Sequence, residues 1–278
     1  MKSTTPAQIT HFHENMPAQE YFDSPGIGGT KMKSLCNSVA EFETPKEFTE
    51  QAKKSMGFGT AFHEKMDKSS KFSDKYIVAH NVPVNKDGSL SKRSAEFKEL
   101  VANSDGKELL SKYEWEYLVK MQDNVLNHKF AKDTNLYDGG EYETSLFTED
   151  PGTGIRVKGR FDYLNRNQQI FVDFKTTKDA NPDFIVNAIY NMRYHVQAAC
   201  YKAILDLEFD ADYRCIYAFV ANKPPHLVTY VEIAGEVLAH GMMLRRKALD
   251  NLDQYQREDN EVVKKELYGY PQKLMVLK

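Results

Sequence analysis

Residues 155–177, IRVKGRFDYLNRNQQIFVDFKTT, read as a β-hairpin, and that reading decides the fold. Each arm is an extended segment, and the turn falls within residues 165–169. In the second arm Ile170, Val172 and Phe174 share one face while Phe171, Asp173 and Lys175 share the other, because successive strand side chains alternate. An acid and a lysine two apart on a strand therefore point the same way. The first arm carries Asp162. If Asn165 pairs with Ile170 across a four-residue loop, a common hairpin size, Asp162 lies directly opposite Asp173. Such opposed residues share a face, with Cβ atoms roughly 4.5–5.5 Å apart.

Two carboxylates that close repel each other unless positive charge lies between them. A divalent cation is the natural neutraliser, and Lys175 adds a second positive charge. This layout suits metal-assisted cleavage of a phosphodiester. An exposed hairpin with chance acids is the plain alternative on local grounds. The same stretch is basic within a chain of net charge −3: Arg156, Lys158, Arg160, Arg166, Lys175 and Lys178 face only Asp162 and Asp173. Basic residues around paired acids would hold a polyanion over a metal; they would equally serve as a solvated strand face.

At 278 residues the chain is one large domain or two small ones. Its 41% hydrophobic and 28% charged content is ordinary for a globular protein. No apolar run approaches the ~20 residues of a membrane span, and the polar N-terminus does not read as a secretory signal. Cys36, Cys200 and Cys215 are odd in number and form no CxxC pair, so neither a zinc site nor a disulfide framework is expected. A reducing cytoplasm is the expected location.

Upstream of the hairpin, residues 1–30 read as an arm or loop, followed by a short helix over 30–42. Thr44, Pro45 and Glu47 have the spacing of a helix start. A helix runs through 61–66 and carries His63, with Gly57 and Gly59 beside it to allow close approach. A turn lies within 81–90, short helices at 94–102 and 106–110, and a longer helix at 111–130. A strand over 141–148, carrying Glu143, completes a three-strand meander with 155–164 and 170–175. Downstream, Asn181 caps a helix over 182–191, and a second helix covers 194–208 with Gln197 and Tyr201 on one face. Strands at 213–221 and 227–233 precede a long helix over 234–258, and a loosely held basic tail carries Lys264, Lys265, Lys273 and Lys278. The order predicts a single α/β domain with a central mixed sheet flanked by helices. Its parts are an N-terminal arm and short helix (1–43), a catalytic core (44–258) and the basic tail (259–278).

Four segments, GFGTAFHE at 57–64, VKGRFDYL at 157–164, FVDFKTT at 171–177 and YHVQAACY at 194–201, taken in this order, resemble the PD-(D/E)xK nuclease superfamily. More narrowly they resemble the RecE-type (exodeoxyribonuclease VIII) nuclease domain of phages and prophages, a RecB-like nuclease. The resemblance implies that Asp162 and Asp173 are metal ligands with His63, that Lys175 is catalytic, and that Gln197 and Tyr201 orient the site. Glu143 matches a further acidic position. Thr176, Thr177, Arg193 and Arg160 are candidate DNA contacts. Phe161 departs from the proline that many relatives place before the acid, and no long N-terminal region like that of RecE precedes the domain.

Magnesium needs few carboxylates and keeps several waters, while manganese accepts an imidazole nitrogen more readily. The resemblance further implies 5′ to 3′ resection of linear double-stranded DNA for homologous recombination in a bacterial host. It also implies a single-strand annealing protein as partner and a homo-oligomer. An endonuclease or flap nuclease on the same fold, or a non-catalytic DNA-binding subunit, are the alternatives.

Overall fold

The computed structural model describes residues 12–14 and 16–269. They begin with a two-residue strand, β1 (Phe12–His13), and a short helix, α1 (Ala18–Asp23). The described part of the expected arm is therefore structured: β1 joins the main sheet, and Ile27 bridges Val157. Lys158 holds this segment, its ammonium donating to the carbonyls of Tyr21 (2.6 Å) and Ser24 (2.6 Å). Residues 1–11 of that arm lie outside the described residues.

Two helices, α2 (Gly29–Leu35) and α3 (Val39–Glu43), replace the single helix expected over 30–42. The break falls at Ser38, whose hydroxyl accepts the Glu41 N–H and starts a new helix. The next helix, α4 (Glu50–Met66), starts later than Thr44 suggests. Thr44 instead closes α3, its hydroxyl donating to the Ala40 carbonyl at 2.7 Å, and Thr49 caps α4 through the Ala52 N–H.

Then come α5 (Phe72–Lys75), β2 (Tyr76–Ala79), α6 (Ala95–Ala102) and β3 (Glu108–Ser111). β2 and β3 form a parallel pair, Tyr76 opposite Glu108 through Ala79 opposite Ser111. This corrects the helix expected over 106–110: a partner strand 32 residues upstream overrides local propensity. Ser111 and Glu114 form a capping box that starts α7 (Lys112–Leu126), and α8 (Lys129–Asp133) follows.

The meander forms as β4 (Glu141–Glu149), β5 (Arg156–Asn165) and β6 (Ile170–Thr177). The chain continues through α9 (Pro182–Asn191), α10 (Tyr194–Phe209), β7 (Arg214–Ala221), β8 (Val228–Glu232) and α11 (Gly235–Arg257). α12 (Glu261–Tyr268) stands where a loose tail was expected and contains Lys264 and Lys265; Lys273 and Lys278 lie outside the described residues.

The main sheet has the order β1-β4-β5-β6-β7-β8. It is antiparallel except for the parallel β6–β7 pair that α9 and α10 connect, so it is mixed as expected. Helices cover both faces. On one side Met32, Ile189, Val196 and Leu249 pack with Phe161, Phe171 and Tyr217. On the other, Phe62, Met66, Leu118 and Met121 pack with Tyr163, Val172 and Phe174. Each fully buried side chain of this size contributes roughly 1.5–3 kcal/mol relative to exposure. α10 and α11 meet closely at Gly241 of α11, where an added Cβ would lie 2.2 Å from the His195 carbonyl oxygen of α10. No helix among the described residues is long and apolar enough to cross a membrane.

Candidate active site

Asn165 pairs with Ile170, Leu164 with Phe171 and Tyr163 with Val172. The next step would set Asp162 opposite Asp173, but the backbone ladder ends there. Asp162 Oδ2 accepts the Phe174 N–H at 2.7 Å. The strand alternation also breaks: Phe161 packs on the α10 side and Tyr163 on the α7 side, although they are two residues apart. On the neighbouring strand Glu143 sits at φ +51°, in the left-handed region, which costs a non-glycine residue roughly 1–2 kcal/mol. The meander is thus distorted where its acids lie.

Into that distortion α4 delivers His63. A Cβ on Gly59 would stand 3.4 Å from Thr176 Oγ1, so the helix passes close to the end of β6. His63 Nδ1 lies 3.2 Å from Asp162 Oδ1. Potential ligand atoms of His63, Glu143 and Asp162 all fall within 4.8 Å of one another. Asp173 is outside this group. Its Oδ1 pairs with the Lys175 ammonium, and its Oδ2 accepts from Gln197 Nε2 at 2.8 Å. Gln197 Nε2 also lies 3.2 Å from the Tyr201 hydroxyl, so the two helical residues meet the strand as a unit.

The charges are mutually adjusted. Burial opposes protonation of His63, but Asp162 beside it outweighs this and pushes the imidazole up to about 9. Burial likewise opposes ionisation of Asp162, yet His63, Lys175 and the Phe174 N–H hold its carboxyl below the usual range. Glu143 is raised, by burial and then by the charge of Asp162. Asp173 is also raised, its burial outweighing Lys175. Lys175 stays an ammonium: burial acts against it, but Asp173 and Asp162 prevail and raise its pKa.

The expected DNA contacts divide. Thr176 and Thr177 follow Lys175 at the end of β6, and the Thr177 hydroxyl donates to the Asp179 carbonyl at 2.9 Å. Arg160 is engaged within the protein, donating to Glu143, to the Met16 carbonyl (2.7 Å) and to Ser145 Oγ (3.2 Å). Arg193, at φ +51° before α10, donates to Asn37 Oδ1. Both arginines thus already have protein partners.

Three site residues escaped the sequence reading. Lys33 of α2 donates to Gln197 Oε1 at 2.8 Å and lies 4.6 Å from the centre of the Tyr194 ring. Lys175 approaches the rings of Tyr194 (5.3 Å) and Tyr217 (5.6 Å), close enough for cation–π attraction. Tyr194 opens the YHVQAACY segment, one turn before Gln197, and that spacing was the available signal. Lys33 carries no such signal.

One ring nitrogen and two carboxylates converge, and the raised Glu143 marks carboxylates crowded in a buried setting. That set fits a divalent cation of the magnesium or manganese kind.

A mixed sheet whose central hairpin carries Asp162 and Asp173-x-Lys175, with His63 and Gln197 supplied by flanking helices, defines a PD-(D/E)xK nuclease fold. The chain belongs to the family described as "PDDEXK-like domain of unknown function (DUF3799)", whose model matches residues 30–268. Among solved structures it is similar to a Eubacterium rectale protein described as a "Putative exonuclease", with TM-score 0.56, 11% identity and 96% of each chain covered. A "phage related exonuclease" from Haemophilus somnus 129PT shares 16% identity over 72% of this chain and 95% of its own, but its TM-score of 0.33 carries no argument. No curated protein matches the chain.

Proposed function

We propose that the protein is a magnesium-dependent exodeoxyribonuclease, with manganese as an alternative cation, that resects linear double-stranded DNA 5′ to 3′. The observation that carries this reading is the convergence of His63, Glu143 and Asp162 within 4.8 Å beside the Asp173–Lys175 pair. His63, Asp162 and Glu143 would hold the cation, with Asp173 adjoining them through the hairpin. When bound, the cation would supply Lewis-acid polarisation of the scissile phosphate and of the attacking water.

The chain's own residues do the rest. Lys175 remains protonated and offsets negative charge developing at phosphorus. Asp173 fixes the Lys175 ammonium, and Gln197 fixes Asp173. Tyr201 bonds to Gln197 beneath them. Thr176 offers its hydroxyl to a phosphate oxygen along the strand, and Thr177 would do the same on releasing the Asp179 carbonyl. Single strands so produced would feed homologous recombination through an annealing protein, with a homo-oligomer retaining the DNA, in a bacterial cytoplasm.

The test uses end-labelled linear duplex and covalently closed circles, with Mg2+ or Mn2+, for the wild type, Asp162→Ala and Lys175→Met. Removing one charge-stabilising donor costs about 10²–10³ in kcat in comparable sites. Linear DNA should be degraded from its ends by the wild type alone. Rapid nicking of closed circles would overturn the exonuclease reading, and equal activity in all three proteins would overturn this site.

A further inference from the structure

Lys33 lies outside the motif residues, yet it contacts the site at a place where only a donor can act. The Gln197 amide has two ends of nearly the same shape, so its orientation is set by its neighbours. Asp173 Oδ2 on one side can only accept while ionised, and Lys33 on the other can only donate while it is an ammonium. The Tyr201 hydroxyl can do either. Lys33 and Asp173 together therefore leave the amide one satisfied orientation, Oε1 toward Lys33 and Nε2 toward Asp173.

The backbone is built to bring Lys33 this close. A Cβ on Gly29, one turn before it in α2, would stand 3.0 Å from Gln197 Cγ and 3.6 Å from the Tyr201 ring. A side chain at this position would crowd Gln197 and press it by a few tenths of an ångström, so the glycine lets α2 lie close against Gln197. Tyr194, one turn before Gln197, offers its ring face to the Lys33 ammonium. Among the described residues Lys33 has no carboxylate as a hydrogen-bond or ion-pair partner, and its polar contact is the amide. Burial, with Lys175 nearby, lowers its pKa to about 7, which shows how little its surroundings compensate the charge.

We propose that Lys33 is a positioning residue that acts on the Asp173–Lys175 pair through Gln197. The chain of contacts is Lys33 to Gln197 to Asp173 to Lys175. Without Lys33, Gln197 Oε1 loses its donor, and the amide is free to rotate. Asp173 then loses a hydrogen bond that holds its carboxylate toward Lys175. This rests on the nuclease reading above only for its kinetic readout.

The experiment compares wild type, Lys33→Met, Lys33→Arg, Gln197→Ala and the Lys33→Met/Gln197→Ala double variant. Partners that orient a catalytic group typically cost about 10–100-fold when removed. Lys33→Met should lower kcat on linear DNA by that order while KM changes little, and Lys33→Arg should restore much of it. In the Gln197→Ala background Lys33→Met should have no further effect. Losses that multiply, or a raised KM at unchanged kcat, would overturn the proposal and make Lys33 a direct DNA contact.

A second readout does not need activity. In protein labelled with side-chain 15N-glutamine, the Gln197 amide signal is assigned by its loss in Gln197→Ala. Its hydrogen exchange should be slow in the wild type and fast in Lys33→Met and Lys33→Gln; unchanged exchange in both would overturn the proposal. Two variants guard against one failing to fold. If the wild type cleaves no DNA but exchange still accelerates, the nuclease reading fails and the positioning role stands.

Discussion

Without a cation, the His63–Asp162 pair should make stability depend on pH in a way that His63→Gln removes. The His63 imidazole is raised from its ordinary value of 6.5 to about 9. At roughly 1.4 kcal/mol per pH unit, that rise is worth about 3 kcal/mol. Exposure reduces it little, because the side chain is 27% exposed and Asp162 only 12%. A group raised in the folded state stabilises fully below its unfolded value. The contribution is therefore complete below about pH 6.5 and disappears as pH rises through about 9.

Lys33 works in the opposite direction across part of this range. Its folded value is lowered from 10.5 to about 7, so stability recovers as it loses its proton above that pH. The wild-type profile alone would thus mix two opposed slopes. The measurement is urea unfolding in EDTA, from pH 6 to 10, for wild type and His63→Gln in parallel. The difference between them should shrink by about 3 kcal/mol across that range. A constant offset from lost packing against Phe174, whose ring centre is 6.2 Å from that of His63, does not affect the slope. A difference that stays flat with pH would refute the ion pair.

Magnesium or manganese added to the chelated protein should raise its melting temperature, by about 2.7 kcal/mol of stability at a hundredfold excess over Kd. The gain should be larger at pH 9 than at pH 7, because the cation displaces the His63 proton; calorimetric scans at both values check this. Asp150→Ala should destabilise by about 3–5 kcal/mol, because Arg245, 3.1 Å from the Asp150 carboxylate and buried, would lose its counter-charge. Chemical denaturation reads this, and a loss under about 1 kcal/mol would contradict it. Gly241→Ala should cost about 1–3 kcal/mol or more, since its Cβ would meet the His195 carbonyl at 2.2 Å. A wild-type melting temperature in that variant would show that α10 and α11 are not in backbone contact.

Local chemistry made several elements legible in advance. The Asn181–Pro182 start of α9 and the hairpin register at Asn165 and Ile170 each rest on residues a few positions apart. Where two local signals competed, the choice was not legible. Thr44 and Thr49 both resemble helix caps, and the former became the end of α3. Nor could 106–110 be read as a strand, because its partner at 76–79 lies far off in sequence.

The candidate site divides along the same line. Asp162, Asp173 and Lys175 were accessible from strand alternation, and helix spacing put Gln197 and Tyr201 on one face, their role coming from the family resemblance. Those periods place side chains on a face without saying whether a face is continuous. The ladder's end at Tyr163, the left-handed Glu143 and the substitution of Asp162 for a backbone partner are tertiary outcomes. They bring Glu143 together with His63 and Asp162, and they leave Asp173 to Lys175 and Gln197. Lys33 shows the limit most plainly: its position depends on how closely α2 packs against α10 at Gly29, a distance set by packing between elements far apart in the chain.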